Sequence, residues 1–154
     1  MNLELPSIKT KLIAACEAEI KNRIERAKKA MDAAQESANS ETKSTAGDKY
    51  ETAKAMAQIE RDMAAKNLAE AVELLNKFRS MPHGLSNNEV NVGSLVFTNT
   101  EIFFVSVALG KITVDDIDFY CISAVSPLAK AIWGLKSGEE FLINGVKKKI
   151  LSIH

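Results

Sequence analysis

Two carboxylates stand three residues apart in the middle of the chain, and they are the first groups whose spacing suggests chemistry. Asp48 and Glu51 lie in the stretch Thr45-Ala46-Gly47-Asp48-Lys49-Tyr50-Glu51-Thr52-Ala53. On a helix this spacing puts both carboxylates on one face, and two acids at the exposed end of a long helical pair would be placed to reach a partner. The same pair also fits a capping box, with Asp48 as N-cap and Glu51 at the third helical position. Taken alone, the motif favours the capping interpretation.

A first long helical pattern precedes these acids and begins near Ser7, just after Pro6. Its apolar residues recur at near-heptad spacing in two rows, Ile13, Ile20, Ala27, Ala34 and Cys16, Ile24, Met31, Ala38. A seam this narrow suits pairing with one partner helix more than burial in a broad core. The intervening basic residues are interpreted as a solvated face balanced by glutamates, with a phosphate-contacting patch as the alternative; they are Lys21, Arg23, Arg26, Lys28 and Lys29.

A second helical pattern runs from about Asp48 to Arg79 and supplies the partner. Its expected seam is Met56, Ile59, Met63, Leu68, Ala71, Leu75 and Phe78. The polar stretch Asn39 to Gly47 is rich in turn formers and is expected to be the link between the helices. The patterns therefore predict an antiparallel coiled-coil hairpin with the acids at its tip, and roughly thirty residues would make an arm about 45 Å long.

Composition changes near Met81-Pro82-His83-Gly84, where an Ala/Lys/Glu-rich half gives way to a half rich in Val, Ile, Phe and Gly. Strands are expected within Val90–Thr98, Glu101–Leu109, Phe119–Ser123, Glu140–Ile143 and Val146–Ile153, with Gly110 and the acids Asp115, Asp116 and Asp118 in a solvated loop or edge. The dipeptide Asn144-Gly145 predicts a tight hairpin. The predicted fold is α+β, with a hairpin at 1–80, its tip near 45–53, and a mostly antiparallel sheet domain at 81–154.

A short helix is predicted where Ser126 can serve as N-cap, Pro127 as first helical residue and Gly134 as the C-terminal stop. Leu128, Ala131 and Ile132 share the face expected to lie on the sheet. Trp133, the single tryptophan, is expected in core or edge packing.

The overall composition excludes several classes of protein. With 20 basic and 20 acidic residues, the chain lacks the positive charge typical of a duplex nucleic-acid binder. Cys16 and Cys121 are far apart and in no metal-ligand pattern, so two buried, reduced thiols in a cytoplasmic protein are expected. The N-terminus has no signal-peptide pattern, and no run approaches the ~20 apolar residues of a membrane span.

The order of these parts resembles the Gre family of bacterial transcript-cleavage factors, in which a coiled-coil hairpin with an acidic tip precedes a small FKBP-like domain. The stretch Gly47-Asp48-x-x-Glu51-x-Ala53 is similar to the family's G-D-L-x-E-N-A-E-Y. The stretch Ile122-Ser123-x-x-Ser126-Pro127-Leu128-Ala129-Lys130-Ala131 is similar to its I-S-x-x-S-P-[IL]-[AG]-[RK]-[AG]. The resemblance spans the whole chain, and the second block is the more specific.

The resemblance implies a monomeric cytoplasmic factor that binds RNA polymerase at its secondary channel. Asp48 and Glu51 would help to hold a second Mg²⁺ at the polymerase active centre, beside the nascent RNA 3′ end, so that backtracked RNA is cleaved. Ser126, Pro127 and Leu128 would contact the polymerase. The protein would have no independent active site, no stably bound cofactor and no membrane partner.

Lys49 and Lys54 depart from the family pattern, which has no lysine at these positions. The two lysines would lower the negative potential around the acids, or would contact RNA phosphate instead. A channel-binding regulator without cleavage is therefore an alternative. A third hypothesis is an FKBP-like prolyl isomerase or chaperone with an aromatic-lined pocket drawn from Phe97, Phe103, Phe104, Phe119, Tyr120, Trp133 and Phe141. A fourth is a hairpin used only for oligomerisation.

Overall fold

The chain folds as an α+β protein in a computed structural model that describes residues 4–44, 48–83 and 88–154. Within those ranges, the side chains of residues 41–44, 48 and 50 lie outside the description. The elements in order are α1 (Leu5–Ser44), α2 (Asp48–Arg79), β1 (Leu95–Thr98), β2 (Ile102–Ser106), β3 (Gly110–Val114), β4 (Ile117–Ser123), α3 (Pro127–Ile132), β5 (Glu140–Ile143) and β6 (Val146–Ile153). The predicted fold class is confirmed at this level.

The described chain divides into two compact units, which we describe separately. The hairpin unit comprises Glu19–Asn76, and the sheet unit comprises Met1–Ala18 together with Lys77–His154. The first turns of α1 therefore belong with the sheet, although they precede the hairpin in the sequence.

The seam of the hairpin unit follows alanines on α2. Ala57, Ala64 and Ala71 repeat every seven residues and are buried. The expected seam residues Met56, Ile59 and Met63 are instead 59, 58 and 62 % exposed, so that part of the prediction was wrong. The buried row of α1 also carries small residues, Ala27 and Ala34. The buried positions of both helices are thus mostly alanines, and the larger apolar side chains of α2 lie on another face.

The rows predicted for α1 are confirmed within the hairpin unit. Ile20, Ala27 and Ala34 are buried, and Ile24 and Met31 beside them are half-buried. The predicted link was wrong at its start, because α1 continues through Asn39 and ends at Ser44. Polar residues such as Glu and Lys are good helix formers, so a polar stretch does not by itself end a helix.

The sheet has six strands in the order β3-β4-β2-β1-β6-β5. Strands β2 and β4 pair in parallel, and the other neighbours pair antiparallel. The sheet is thus mixed. The edge strand β3 was not predicted as a strand, and Asp118, expected in a loop or edge, lies within β4. The turn from β3 to β4 holds Asp115 and Asp116 at positive φ (50° and 63°), a conformation that Asp tolerates better than most residues.

Strand β1 begins at Leu95, later than predicted, because the preceding residues form a turn. Ser94 N donates a 3.1 Å hydrogen bond to the carbonyl oxygen of Asn91, and Ser94 Oγ accepts one of 2.9 Å from Asn91 N. Gly93 within this turn has φ of +86°. The two hydrogen bonds close a turn between Asn91 and Ser94, so regular strand geometry begins only at Leu95.

The predicted ends of α3 and the predicted β5–β6 turn are confirmed. Asn144 and Gly145 both have positive φ (50° and 76°), as a two-residue hairpin between β5 and β6 requires. Ser126 caps α3 and Pro127 is its first residue. Gly134, at φ +75°, follows the end of the helix.

The predicted sheet-facing side of α3 was wrong at Ala131, which is exposed. Ala129 is fully buried instead, because it lies three residues before Ile132 and so shares its face.

Both faces of the sheet are covered within the sheet unit. On one face, Ile132 of α3 packs in a cluster with Phe103 and Val105 of β2. Alternation along β2 places Phe104 on the opposite face, where its ring lies near His83. Leu12 of α1 is also fully buried. A sheet buried on two sides explains why β1 and β2 read as continuous apolar runs.

Candidate functional site

The predicted tip acids lie at the start of α2. Asp48 is the first residue of this helix, so Glu51 sits in its first turn and its side chain is exposed. The side chain of Asp48 lies outside the described residues, and the proposed capping box with it. What the backbone establishes is the helical spacing of three residues that places the two positions on one face.

The charges around these acids balance. Lys49 and Lys54 occupy the same stretch of α2 and are exposed, so the two acids are matched by two bases. Nearby positive charges weaken the attraction of the carboxylates for a cation. An exposed setting also limits the size of that effect, because water and salt screen charges at a surface.

The acidic residue types at the tip are ones that could contribute ligands to a metal ion. Mg²⁺ is usually octahedral and retains several waters when it is bound by one or two carboxylates together with substrate phosphates. Carboxylates at two positions on one helix face could serve in this way only as additional ligands to a metal held elsewhere. In residues 4–44, 48–83 and 88–154, no group of three or more His, Cys, Asp or Glu side chains is arranged to hold a metal ion.

The second predicted site surrounds the start of α3 in the sheet unit. Ser126 Oγ accepts a 3.1 Å hydrogen bond from Ala129 N, and Ser126 N donates one of 3.0 Å to the carbonyl oxygen of Ser123. Ser123 Oγ in turn accepts a 3.2 Å bond from Val125 N. The hydroxyl of Ser126 therefore has a structural role as the cap of α3. Any contact of this hydroxyl with a partner would come in addition to that role.

The apolar residues at this site divide between core and surface. Leu128 is half-buried and packs against the core cluster beneath α3. Pro127 is exposed, Val125 is 72 % exposed and Trp133 is 45 % exposed. Trp133 thus lies at the surface and not in the core. Three apolar side chains in or next to this short helix are therefore exposed.

The tip acids and the start of α3 belong to different units, so each is described by itself. Within the hairpin unit, an open groove of about 500 Å³ lies between the helices. It is lined by Arg23, Arg26, Ala27, Ala30, Asn67, Glu70, Ala71 and Leu74. The tip acids are not part of that groove.

The basic face of α1 is balanced as predicted. Glu19 Oε1 accepts bonds of 3.3 Å from both Arg23 and Arg26, and Glu25 pairs with Lys28 at 3.7 Å. Ion pairs this exposed contribute little stability each. The paired glutamates offset part of the positive charge that a phosphate-binding patch on this face would need.

Two features escaped the sequence analysis. The sulfur atoms of Cys16 and Cys121 lie 3.5 Å apart, although the residues are far apart in sequence. Met56, Ile59 and Met63 form an exposed apolar stripe on α2. Their spacing of three and four residues was the available signal for one shared face, but it could not say which face meets α1.

No family model and no curated protein matches this chain. In the part of the chain that the structure describes, none of the helices is both long and apolar enough to cross a membrane.

Proposed function

We propose that this chain is a Gre-like transcription elongation factor that binds RNA polymerase at the secondary channel and stimulates cleavage of backtracked RNA. In this proposal the helical pair is an antiparallel coiled-coil hairpin, the sheet unit is FKBP-like, and the protein acts as a cytoplasmic monomer. The observation that carries the proposal is the position of the acids. Asp48 begins α2, and Glu51 is exposed in its first turn.

The tip acids would act on the polymerase's own chemistry. In two-metal phosphodiester cleavage the attacking and leaving oxygens are stabilised by two ions together, and the tip acids would help to hold the second ion, which would be an Mg²⁺ at the polymerase active centre. Asp48 and Glu51 would add oxygen ligands to that ion and orient the attacking water. The polymerase would have to supply the other ligands, because two carboxylates alone are too few for a tight Mg²⁺ site. The protein then needs no active site of its own.

The start of α3 would supply the contact with polymerase. Pro127 and Val125 are exposed, while the Ser126 cap fixes the backbone that presents them. Leu128 anchors the helix to the core cluster. A short rigid helix with apolar surface residues is suited to docking, since little conformational entropy is lost when it binds.

The direct test is RNA cleavage in a stalled, backtracked elongation complex of the cognate polymerase. We expect wild-type protein to shorten the RNA, and the Asp48→Ala/Glu51→Ala double variant to bind without shortening it. Glu60→Ala/Glu73→Ala is the matched control, because it removes two exposed acids from the same helix and should retain cleavage. Loss of cleavage in the control as well would contradict a specific role for the tip acids.

A channel-binding regulator without cleavage is the second candidate, and the lysines favour it. Exposed Lys49 and Lys54 oppose metal recruitment by the acids. Under this alternative, wild-type protein binds the complex and leaves RNA length unchanged. Lys49→Leu would then introduce cleavage that the wild-type protein does not stimulate, at least at raised Mg²⁺ concentration. Failure of the protein to bind polymerase would overturn both candidates.

Two other functions remain as proposals with separate tests. A prolyl isomerase needs an accessible aromatic pocket, whereas Phe103, Phe104, Phe119 and Phe141 are buried; turnover of a proline peptide tests it. Oligomerisation is favoured by the exposed stripe of α2. Sedimentation of the wild-type protein beside a Met56→Lys/Met63→Lys variant tests it, since a wild-type dimer that the variant loses would replace the expected monomer.

A further inference from the structure

The buried thiols of Cys16 and Cys121 are in contact across two elements of the sheet unit. Cys16 is in α1 and Cys121 is in β4, and their sulfur atoms are 3.5 Å apart. Their exposed fractions are 0 and 2 %. Both cysteines are free thiols. The pair therefore has the residue types and the proximity that an intramolecular disulfide needs.

The surroundings of the pair are apolar. Leu12 lies one turn before Cys16 on α1 and is fully buried. Cys121 stands opposite Phe104 of β2 and Gly110 of β3 in the sheet register. Large reagents cannot enter such a site, whereas a small uncharged oxidant can reach it during brief local openings.

The thiol of Cys121 is held in its protonated form. The hydrogen bond with Cys16, and then burial, raise the pKa of Cys121 well above that of an ordinary thiol. Because the thiolate is the reactive species, this environment slows attack on oxidants. The two thiols would therefore remain reduced during a brief exposure to oxidant and would react during a sustained one.

We propose that Cys16 and Cys121 form an intramolecular oxidation site, at which hydrogen peroxide converts the two thiols into a disulfide that joins α1 to β4. The inference does not depend on the proposed function. The resulting crosslink lies within the sheet unit and closes a loop between positions 105 residues apart.

The reaction balances in two steps. One cysteine sulfur attacks a peroxide oxygen, the O–O bond breaks, and a sulfenic acid and one water form. The second sulfur then attacks the sulfenic sulfur, the S–O bond breaks, and the hydroxyl leaves with the second thiol proton as another water. The two sulfurs lose two electrons in total, and the peroxide gains them.

The proximity of the pair favours the disulfide over further oxygen addition. A sulfenic acid at either position has the other thiol already in contact, so the second step is faster than reaction with another peroxide. Forming the bond requires the sulfurs to close from 3.5 Å to about 2.05 Å. A shift of about 1.5 Å is within reach of side-chain rotation and small movements of the helix against the sheet.

The test treats the reduced, full-length chain with hydrogen peroxide under native conditions and maps its peptides without reduction. We expect one crosslinked peptide pair that contains Cys16 and Cys121 and has lost two hydrogens. The readout must be at the cysteine peptides, because the five methionines also take up oxygen. Glutathione disulfide, which is too bulky for the site, should leave both thiols reduced over the same period.

Cys16→Ala and Cys121→Ala are the matched variants, and circular dichroism checks that they fold. Neither should form the crosslink. Independently of these variants, oxidised wild-type protein should melt several degrees above reduced protein, because a long closed loop restricts the unfolded chain. Addition of oxygen to the cysteines without a crosslink would overturn the proposal. So would disulfides between molecules, or a crosslink that forms no faster than global unfolding.

Discussion

The carbonyl oxygen of Pro82 occupies the space in which a side chain on Gly93 would begin. A Cβ atom placed on Gly93 would lie 2.5 Å from that oxygen. Gly93 also has φ of +86°, a conformation that residues with a Cβ rarely adopt. Its backbone N donates a 2.7 Å hydrogen bond to the carbonyl oxygen of Val105. The turn before β1 and the segment after α2 therefore depend on a glycine at this position.

Gly93→Ala should destabilise the protein by clearly more than the strain of a positive φ alone, which is about 1–2 kcal/mol. The matched variant is Gly138→Ala, because Gly138 has a similar φ of +91° but open space around its Cβ position. Chemical unfolding of both variants measures the difference. Equal losses of stability would show that the contact with Pro82 has no energetic consequence.

Ala64→Leu should destabilise the hairpin unit, because Ala64 is buried in the alanine seam between the helices. Overpacking of this kind typically costs about 1–3 kcal/mol. Met63→Leu, one residue away on the exposed stripe, is the control and should change stability by less than about 0.5 kcal/mol. Thermal unfolding followed by helical circular dichroism distinguishes them. A larger effect at Met63 would restore the seam that the sequence predicted.

Ser126→Ala should lower stability by about 1 kcal/mol, because it removes the acceptor for Ala129 N at the start of α3. Ser126→Asp keeps a good N-cap and should remain near wild-type stability. Comparing the two separates the structural role of Ser126 from a role in binding. If Ser126→Asp is stable yet binds polymerase weakly, the surface at position 126 takes part in binding; unchanged binding assigns Ser126 to the cap alone.

Acidification should destabilise the sheet unit through His83. Its ring lies 4.3 Å from that of Phe78, between centroids. Burial, and then the positive charge of Lys9, lower the pKa of His83. The unfolded chain therefore takes up this proton at higher pH than the folded chain does. The free energy of unfolding falls as the pH drops below about 6.5, and the loss levels off below the lowered folded pKa.

Urea unfolding at about pH 7.5 and about pH 5.5 measures this effect, since most carboxylates stay ionised across that window. His83→Gln should reduce the difference in stability between the two pH values. The pKa of His154 is also lowered by burial and by Lys9, so His154→Gln should act in the same direction. A pH dependence that survives the combined variant would assign the effect to other groups.

Local signals predicted the ends of α3 and the turn between β5 and β6 well. The Ser126-Pro127 start of α3 and the Asn144-Gly145 turn lie where the sequence places them. Each of these signals acts through backbone geometry or a hydrogen bond within a few residues. The start of β1 was missed, because a turn around Gly93 depends on its contact with Pro82 as well as on local propensity.

The amino-acid sequence by itself determined that the first half is helical, that the second half forms a sheet with one short helix, and that two acids lie three residues apart. Those properties follow from composition and periodicity along one chain segment. Only the tertiary structure decided that Ala64, and not Met63, faces the seam. It also brought Cys16 into contact with Cys121. Both outcomes depend on how distant segments pack together, and no pattern within one segment contains that information.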